Sequence, residues 1–472
     1  MKSNNNKVFL IVMVLWTVIT LLRVAFHQPW FDEAHAYIIA KELSPLDVIS
    51  LMNVEGHTFI WYFLIMPFAK ADLWYPYPML ILNWLFAFIA MIIFWKKAPL
   101  HPITKTMVLF SYIFLAQIPV VARCYAIGVM FLFMLAAFYK ERLEKPLIYA
   151  SCITLCANTS VIALFGAAGF GFVFAYDLIK GALSGLVSRK DFRISFVILA
   201  VGAVLILWQL GCSNANFINE DNLFLHRFSS YLISEKPNII DYLNVFALVS
   251  VVLTLPVYCF KNKRVFFILL FPIAAMLWTF LTKYGGGPHH YIFFYIYALI
   301  GLWIMKYFDL SSKKAVIAEI AVALLFFAQI FSHMSYTPGY FNSGSKVMAE
   351  SFVTDEVKNN GKVMIFKAFD MRFIPYIKDK NLDVYYYATA EISDYLTYDT
   401  PLLEVVKYYL SPTWIHEANK KSDKQLYAIL EVTTLTPAEG FVLEDRDYKM
   451  IFTPHRILNK TYGIFKVTEI KK

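Results

Sequence analysis

Asp32, Glu33, His35, Glu55 and His57 stand within "WFDEAHAYIIAKELSPLDVISLMNVEGHTFIWYF", residues 30–63, directly after the first long apolar run of the chain. Carboxylates and imidazoles grouped in one short loop can exchange protons with a substrate or ligate a divalent cation. Asp32 and His35 are about one helical turn apart, so a helix would carry both on one face. The competing reading is a helix N-terminus whose acids complement the macrodipole. Apolar residues at 34, 38, 39 and 43 predict an amphipathic helix lying along a membrane surface. Neither the Asp32 cluster nor "VEGHTF" has the spacing of a strong metal motif.

Two later stretches add polar groups among apolar neighbours, where ionisable side chains are costly and therefore functional candidates. Arg123 lies in "VVARCYAIGVMFLF". Its guanidinium keeps its proton and can fork onto phosphate oxygens, although an Arg anchoring a helix end in lipid phosphate reads the same way. Tyr125 is either a second hydrogen-bond donor or an interfacial aromatic. In "TKYGGGPHHYIFF", residues 282–294, three glycines and a proline force an irregular, close-approach turn surrounded by Lys283, Tyr284, His289 and His290. The glycine run lacks the spacing of a nucleotide-binding P-loop. Asn158, Thr159 and Ser160 in "CANTSV" read as structural groups that satisfy helix backbone.

These groups must be positioned by membrane helices. Of the 472 residues 59% are hydrophobic, 18% aromatic and only 16% charged, a composition that excludes an ordinary soluble enzyme. Apolar runs predict spans near 8–26, 57–71, 76–95, 106–121, 124–139, 146–160, 161–180, 194–212, 238–259, 265–283, 290–308 and 315–334. The first has no small-residue cleavage site and reads as a retained signal anchor. Basic residues concentrate in loops 96–105, 140–145, 180–193, 261–264 and 306–314, which the positive-inside rule assigns to the cytoplasm. The polar stretches then share the external face. An internal N-terminus and an external segment after 334 require an odd number of crossings. The short segment 57–71, with Pro67 and Lys70, is the weakest, so about eleven crossings are favoured over thirteen.

Residues 1–336 thus form the membrane domain, with a first external loop at 27–57, and residues 337–472 an external α/β domain. In the latter "VMIFKAFD", "LDVYYYA", "KQLYAILEV" and "YGIFKVTEI" predict strands, and "PLLEVVKYYLSPTWIHEANKK" a helix with a proline break. The five cysteines all sit in or beside apolar segments, so no disulfide or zinc framework is indicated. The formal charge of +9 is dispersed over short loops and serves topology rather than nucleic acid.

The order Asp-Glu after the first span, "EGHTFIWYFLIMPF", "ARCYAIG" and "KYGGGPHHYIFF" resembles the GT-C superfamily of polytopic glycosyltransferases. It is similar to the branch of protein O-mannosyltransferases and lipid A aminoarabinose transferases. The resemblance covers about residues 8–334. It departs at Glu55, where "EGHTF" replaces that branch's lysine-containing stretch before paired prolines. The resemblance implies an enzyme of the bacterial inner membrane that moves a sugar from a polyprenyl-phosphate donor to a glycan, lipid or protein acceptor on the external face. It implies Asp32 as catalytic acid or base with Glu33 beside it, and Arg123 as holder of the donor phosphate with Tyr125 and Lys283. Tyr284, His289 and His290 would contact substrate. His35, Glu55 and His57 would bind either a divalent cation, Mg or Mn, or the acceptor. A transporter or flippase of lipid-linked sugars is the main rival and a noncatalytic assembly scaffold the second. Transporters usually place polar groups near mid-membrane and show repeats, neither of which this sequence displays.

Overall fold

The structure, a computed structural model, describes residues 2–211, 223–233 and 239–331. Beyond these it describes 346, 349, 361–365, 374–377, 382–386, 391–392, 420–421, 423–432, 442–444, 448–457 and 460–469. The expected domain boundary at 336–337 and all but the last two residues of the helix expected over 401–421 lie outside the described residues.

Inside hydrocarbon every backbone polar group must be paired within its own segment, so apolar runs fold as helices. These are α1 (Lys2–Phe26), α2 (Phe31–Glu42), α3 (Pro45–Glu55), α4 (Ile60–Lys70), α5 (Tyr77–Lys97), α6 (Pro102–Phe110), α7 (Ile118–Val120), α8 (Tyr125–Ala137) and α9 (Pro146–Ala157). They continue with α10 (Val161–Leu183), α11 (Arg189–Leu210), α12 (Leu223–Leu232), α13 (Ile239–Cys259), α14 (Lys263–Thr282), α15 (Pro288–Lys306) and α16 (Lys313–Phe331). Among the described residues eight helices are long and apolar enough to cross a membrane, or nine if the bent pair Pro102–Phe110 and Ile113–Val120 is one span. The helices α4, α8 and α9 are apolar but shorter. Every apolar run picked out in the sequence holds a helix, and the chain is a polytopic α-helical membrane protein. Large aliphatic and aromatic side chains stand exposed along α11 and α13, among them Val197, Val204, Leu207, Phe246 and Leu253, as lipid-facing surfaces require.

The chain divides into two compact units, Met1–Ala25 with Ile49–Trp61 and Leu80–Ser335, and Phe26–Val48 with Tyr62–Met79 and Tyr336–Lys472. In the first unit the five basic loops meet at one end. The Tyr307 hydroxyl donates to the Lys97 and Ala137 carbonyls at 3.2 and 3.3 Å. Glu319 pairs with Lys306 at 2.7 Å and accepts from the His101 N–H at 2.6 Å. Arg142 and Arg264 share Asp177, each at 2.8 Å, and Lys261 meets Asp309 at 2.8 Å. The Lys261 ammonium, with the Ser312 hydroxyl, pulls the Asp309 carboxyl down to about 2. Phe9, near the start of α1, packs on Trp95 at this same end. From there the helices alternate in direction, and α15 alone carries the chain about 27 Å, close to the thickness of a hydrocarbon core, from its His289–His290 start to Lys306.

The bend between α6 and α7 sets the path of the chain into Arg123. A turn of π-helix, Ile113–Gln117, breaks the regular ladder and turns the pair by 56°. Carbonyls at such a break need side-chain partners. Trp16 Nε1 donates to the Phe114 carbonyl at 2.7 Å and Asn83 Nδ2 to that of Ile118 at 2.9 Å. The chain leaves α7 directly into Val121, Ala122 and Arg123.

In the second unit α2 packs with the 62–79 segment. Tyr37 and Tyr75 lie ring to ring at 4.5 Å, Tyr75 meets Tyr376 at 4.8 Å, and Lys41 pairs with Asp72. Burial, together with the nearby Asp72 carboxylate, raises the Tyr37 hydroxyl to about 12. The described C-terminal residues form a seven-stranded mixed sheet from β1 (Gly361–Ile365), β2 (Asp383–Tyr386), β3 (Glu391–Ile392), β4 (Gln425–Val432), β5 (Val442–Glu444), β6 (Tyr448–Ile457) and β7 (Lys460–Glu469), in the order β3-β2-β1-β4-β7-β6-β5. Strand β1 runs parallel to both β2 and β4, and the remaining pairs are antiparallel.

Candidate functional site

At the end of the first unit opposite the basic loops, imidazole, phenol and guanidinium groups converge. His57 follows α3 through a turn in which Gly56 adopts a φ of +66°, a conformation costly for a residue with a Cβ. Two residues on, the Phe59 N–H donates to Gln209 Oε1 at 2.9 Å, and Gln209 Nε2 donates to Asn158 Oδ1 at 3.0 Å. The "CANTSV" turn is structural, as its composition suggested. Asn158 and Thr159 bond back to the Thr154 and Cys156 carbonyls, and Ser160 caps α10 through the Ala163 N–H. Replacing Gln209 by leucine is expected to remove both of its bonds to neighbouring chain and lower stability by about 1–3 kcal/mol. Thermal unfolding in detergent would check this, an unchanged midpoint being the contrary result.

Arg123 is only 3% exposed, and its Nη2 lies 2.9 Å from His57 Nε2. A guanidinium can only donate, so His57 Nε2 accepts and the imidazole carries its proton on Nδ1, which faces Cys124 Sγ at 3.8 Å. A neutral ring therefore orients Arg123 without cancelling its charge. Tyr125, the first residue of α8, is central to the group. Its hydroxyl is 3.0 Å from His290 Nε2, and its ring meets those of His57, His289 and His290 within 6.0 Å. The His289 and His290 rings are 4.0 Å apart, and Tyr284 stands edge-on to His290 at 5.4 Å.

The "GGGP" turn sets the two histidines at the start of α15. Gly286 has a φ of +74°, and Tyr291 donates its hydroxyl to the Gly285 carbonyl at 2.6 Å. A Cβ on Gly286 would come within 2.7 Å of Tyr291 Cε1. Gly286→Ala is therefore expected to cost about 1–2 kcal/mol or more, from strain and displacement of Tyr291. Its midpoint of thermal unfolding should fall, whereas an equal midpoint would show that the turn has room. Of the residues singled out in the sequence, His57, Arg123, Tyr125, Tyr284, His289 and His290 come together. Lys283 is exposed, and no described contact joins its ammonium to them.

The second unit holds the acidic pair. Glu33, at the third position of α2, accepts from the Trp30 N–H at 3.0 Å and meets His27 Nε2 at 2.9 Å. Both of these side chains are wholly buried. Glu33 thus fixes the helix start, in half of a capping box, and Asp32 beside it is partly exposed. His35 is buried and stacks on Phe31 at 5.7 Å. The expected helix is present, but its one-faced amphipathic pattern is corrected, because nine of the twelve residues of α2 are buried.

His35, Glu55 and His57 are the expected cation ligands. Among the described residues no three His, Cys, Asp or Glu side chains gather to hold one. The His57 Nε2 lone pair already accepts from a cationic guanidinium, a poor neighbour for a divalent ion, and Glu55 is buried at the end of α3. Three contributors escaped sequence reading. Gln209 was visible as a lone amide in "LILWQLG", whereas Cys124 and His27 gave no signal apart from their neighbours. No protein-family model, curated protein or solved structure matches this chain.

Proposed function

We propose that this protein is a membrane glycosyltransferase of the GT-C kind, moving a sugar from a polyprenyl-phosphate donor to an acceptor hydroxyl of an envelope glycan, lipid or protein. The observation that carries the reading is the buried Arg123, oriented by a neutral His57 and grouped with Tyr125, His289 and His290 at the bundle end remote from the basic loops. A lipid-linked phosphate presents its charge near that depth, and a preset guanidinium is the group to receive it.

In this account the acceptor oxygen attacks the anomeric carbon, and its proton passes to a carboxylate, the role that the resemblance alone gives to Asp32. The bond from that carbon to the phosphate oxygen breaks, and the electron pair leaves with polyprenyl phosphate, where Arg123 stabilises the growing charge. A single displacement of this kind inverts the anomeric centre and needs no protein nucleophile. Tyr125 and the histidine pair orient donor oxygens through hydrogen bonds.

Sidedness follows from charge. The gathering of all five basic loops at one end supports a cytoplasmic assignment for that end and an external one for the Arg123 cluster. The odd count of about eleven crossings is part of this proposal: it adds the shorter apolar helices α8 and α9 to the eight long helices and the bent pair α6–α7. A bacterial inner membrane is the setting proposed, by the resemblance alone.

A flippase would move the intact donor between leaflets. Reconstitution into vesicles with a labelled polyprenyl-phosphate sugar and an acceptor extract separates the two. Transfer predicts label on the acceptor, and leaflet exchange of uncleaved donor without any acceptor labelling would overturn the proposal.

A further inference from the structure

At the basic end of the first unit a groove of about 590 Å³ opens between the loop after α8 and helices α10 and α14, lined by Arg142, Asp177, Lys180, Arg264, Leu183 and Leu186 among others. Three cations there face one carboxylate. Asp177, 4% exposed, holds both guanidiniums, accepting from Arg142 Nε and Nη2 at 3.1 and 2.8 Å and from Arg264 Nε at 2.8 Å. Arg142 also donates Nη1 to the Tyr139 carbonyl at 2.6 Å and lies over the Tyr139 ring. These bonds fix the forks without using all their N–H groups, since each guanidinium has five. Lys180 reaches over Tyr176 at 4.6 Å, and the Arg264 guanidinium faces the same ring at 5.6 Å.

The rim of the groove is apolar and exposed. Leu183 is 84% and Leu186 76% exposed, and Phe172, Tyr176 and Ile179 continue this surface along α10. On a membrane-spanning helix such a surface faces acyl chains. A net positive recess at the foot of a lipid-facing stripe matches a molecule with a phosphate head and a hydrocarbon tail better than free phosphate.

We propose that this groove binds the headgroup of an anionic glycerophospholipid, such as phosphatidylglycerol, with its phosphate between Arg264, Arg142 and Lys180 and its acyl chains along α10. The site is separate from the Arg123 cluster and does not depend on the glycosyltransferase reading.

The test is lipid binding to the purified, delipidated full chain by native mass spectrometry, comparing phosphatidylglycerol, phosphatidylcholine and inorganic phosphate. Phosphatidylglycerol should bind in preference to both. The exposed pair Lys180→Ala with Arg264→Ala should weaken it roughly thirtyfold, at about 1 kcal/mol per residue, and Arg264→Gln alone by less. Both variants keep Arg142 as a partner of Asp177 and should still unfold cooperatively without lipid, below the wild-type temperature. Equal binding of phosphatidylcholine, inorganic phosphate binding as tightly as the lipid, or unchanged phosphatidylglycerol binding by the folded variants would overturn the proposal.

Discussion

Asp32→Asn is expected to lower the turnover number for sugar transfer by about 10²- to 10⁴-fold, the range attributed to a positioned general base, while leaving donor affinity close to wild type. The asparagine keeps the size of the side chain but cannot accept the acceptor's proton. The fold should tolerate it, because the position is partly exposed and the substitution is nearly isosteric. Stability of the variant, followed by thermal unfolding, separates a chemical defect from a folding defect. Full turnover by Asp32→Asn would remove the residue from the mechanism, and a loss confined to the Michaelis constant for donor would reassign it to binding.

Arg123→Ala is expected to fail at both steps. A donor bound through its phosphate loses its main electrostatic partner, and a leaving phosphate loses stabilisation that grows along the reaction. By analogy with removal of a preset donor from an anion-stabilising site, the turnover number should fall by about 10²- to 10³-fold, with weaker donor binding in addition. Arg123→Lys should recover little, since an ammonium can neither fork onto two phosphate oxygens nor reproduce the planar bond to His57 Nε2. Wild-type kinetics in Arg123→Ala would show that the guanidinium serves only to anchor a helix end. That is the reading the sequence alone left open.

Much of the frame was legible in the sequence because membrane helices leave a strong local signal. Every apolar run became a helix, and the clustering of basic residues into five loops anticipated the contacts among Tyr307, Lys97, Glu319, Asp177 and Asp309. Four of the seven strands were readable from alternation in "VMIFKAFD", "LDVYYYA", "KQLYAILEV" and "YGIFKVTEI". The strands Glu391–Ile392, Val442–Glu444 and Tyr448–Ile457 were not, the first two being too short for a period and the third interrupted by Pro454 and His455.

The site was legible by residue type more than by role. Arg123, Tyr125 and the histidine pair were visible as costly groups among apolar ones, but their meeting across 165 residues of chain, as Tyr125 and His290 do, depends on helix packing. The tautomer of His57 and the partnership of Glu33 with His27 depend on distances that no spacing rule contains. The one-stripe expectation for "AHAYIIAKEL" fell short because period alone counts one apolar face, whereas small Ala34, Ala36 and Ala40 allow close packing on the other faces as well.

The most direct measurement is the release of free polyprenyl phosphate from a purified polyprenyl-phosphate sugar in the presence of acceptor. The wild-type chain should release it in step with glycosylation of the acceptor, and Asp32→Asn and Arg123→Ala should each release it at least about 10²-fold more slowly. A wild-type chain that leaves every donor intact, or variants that cleave it at the wild-type rate, would contradict the account.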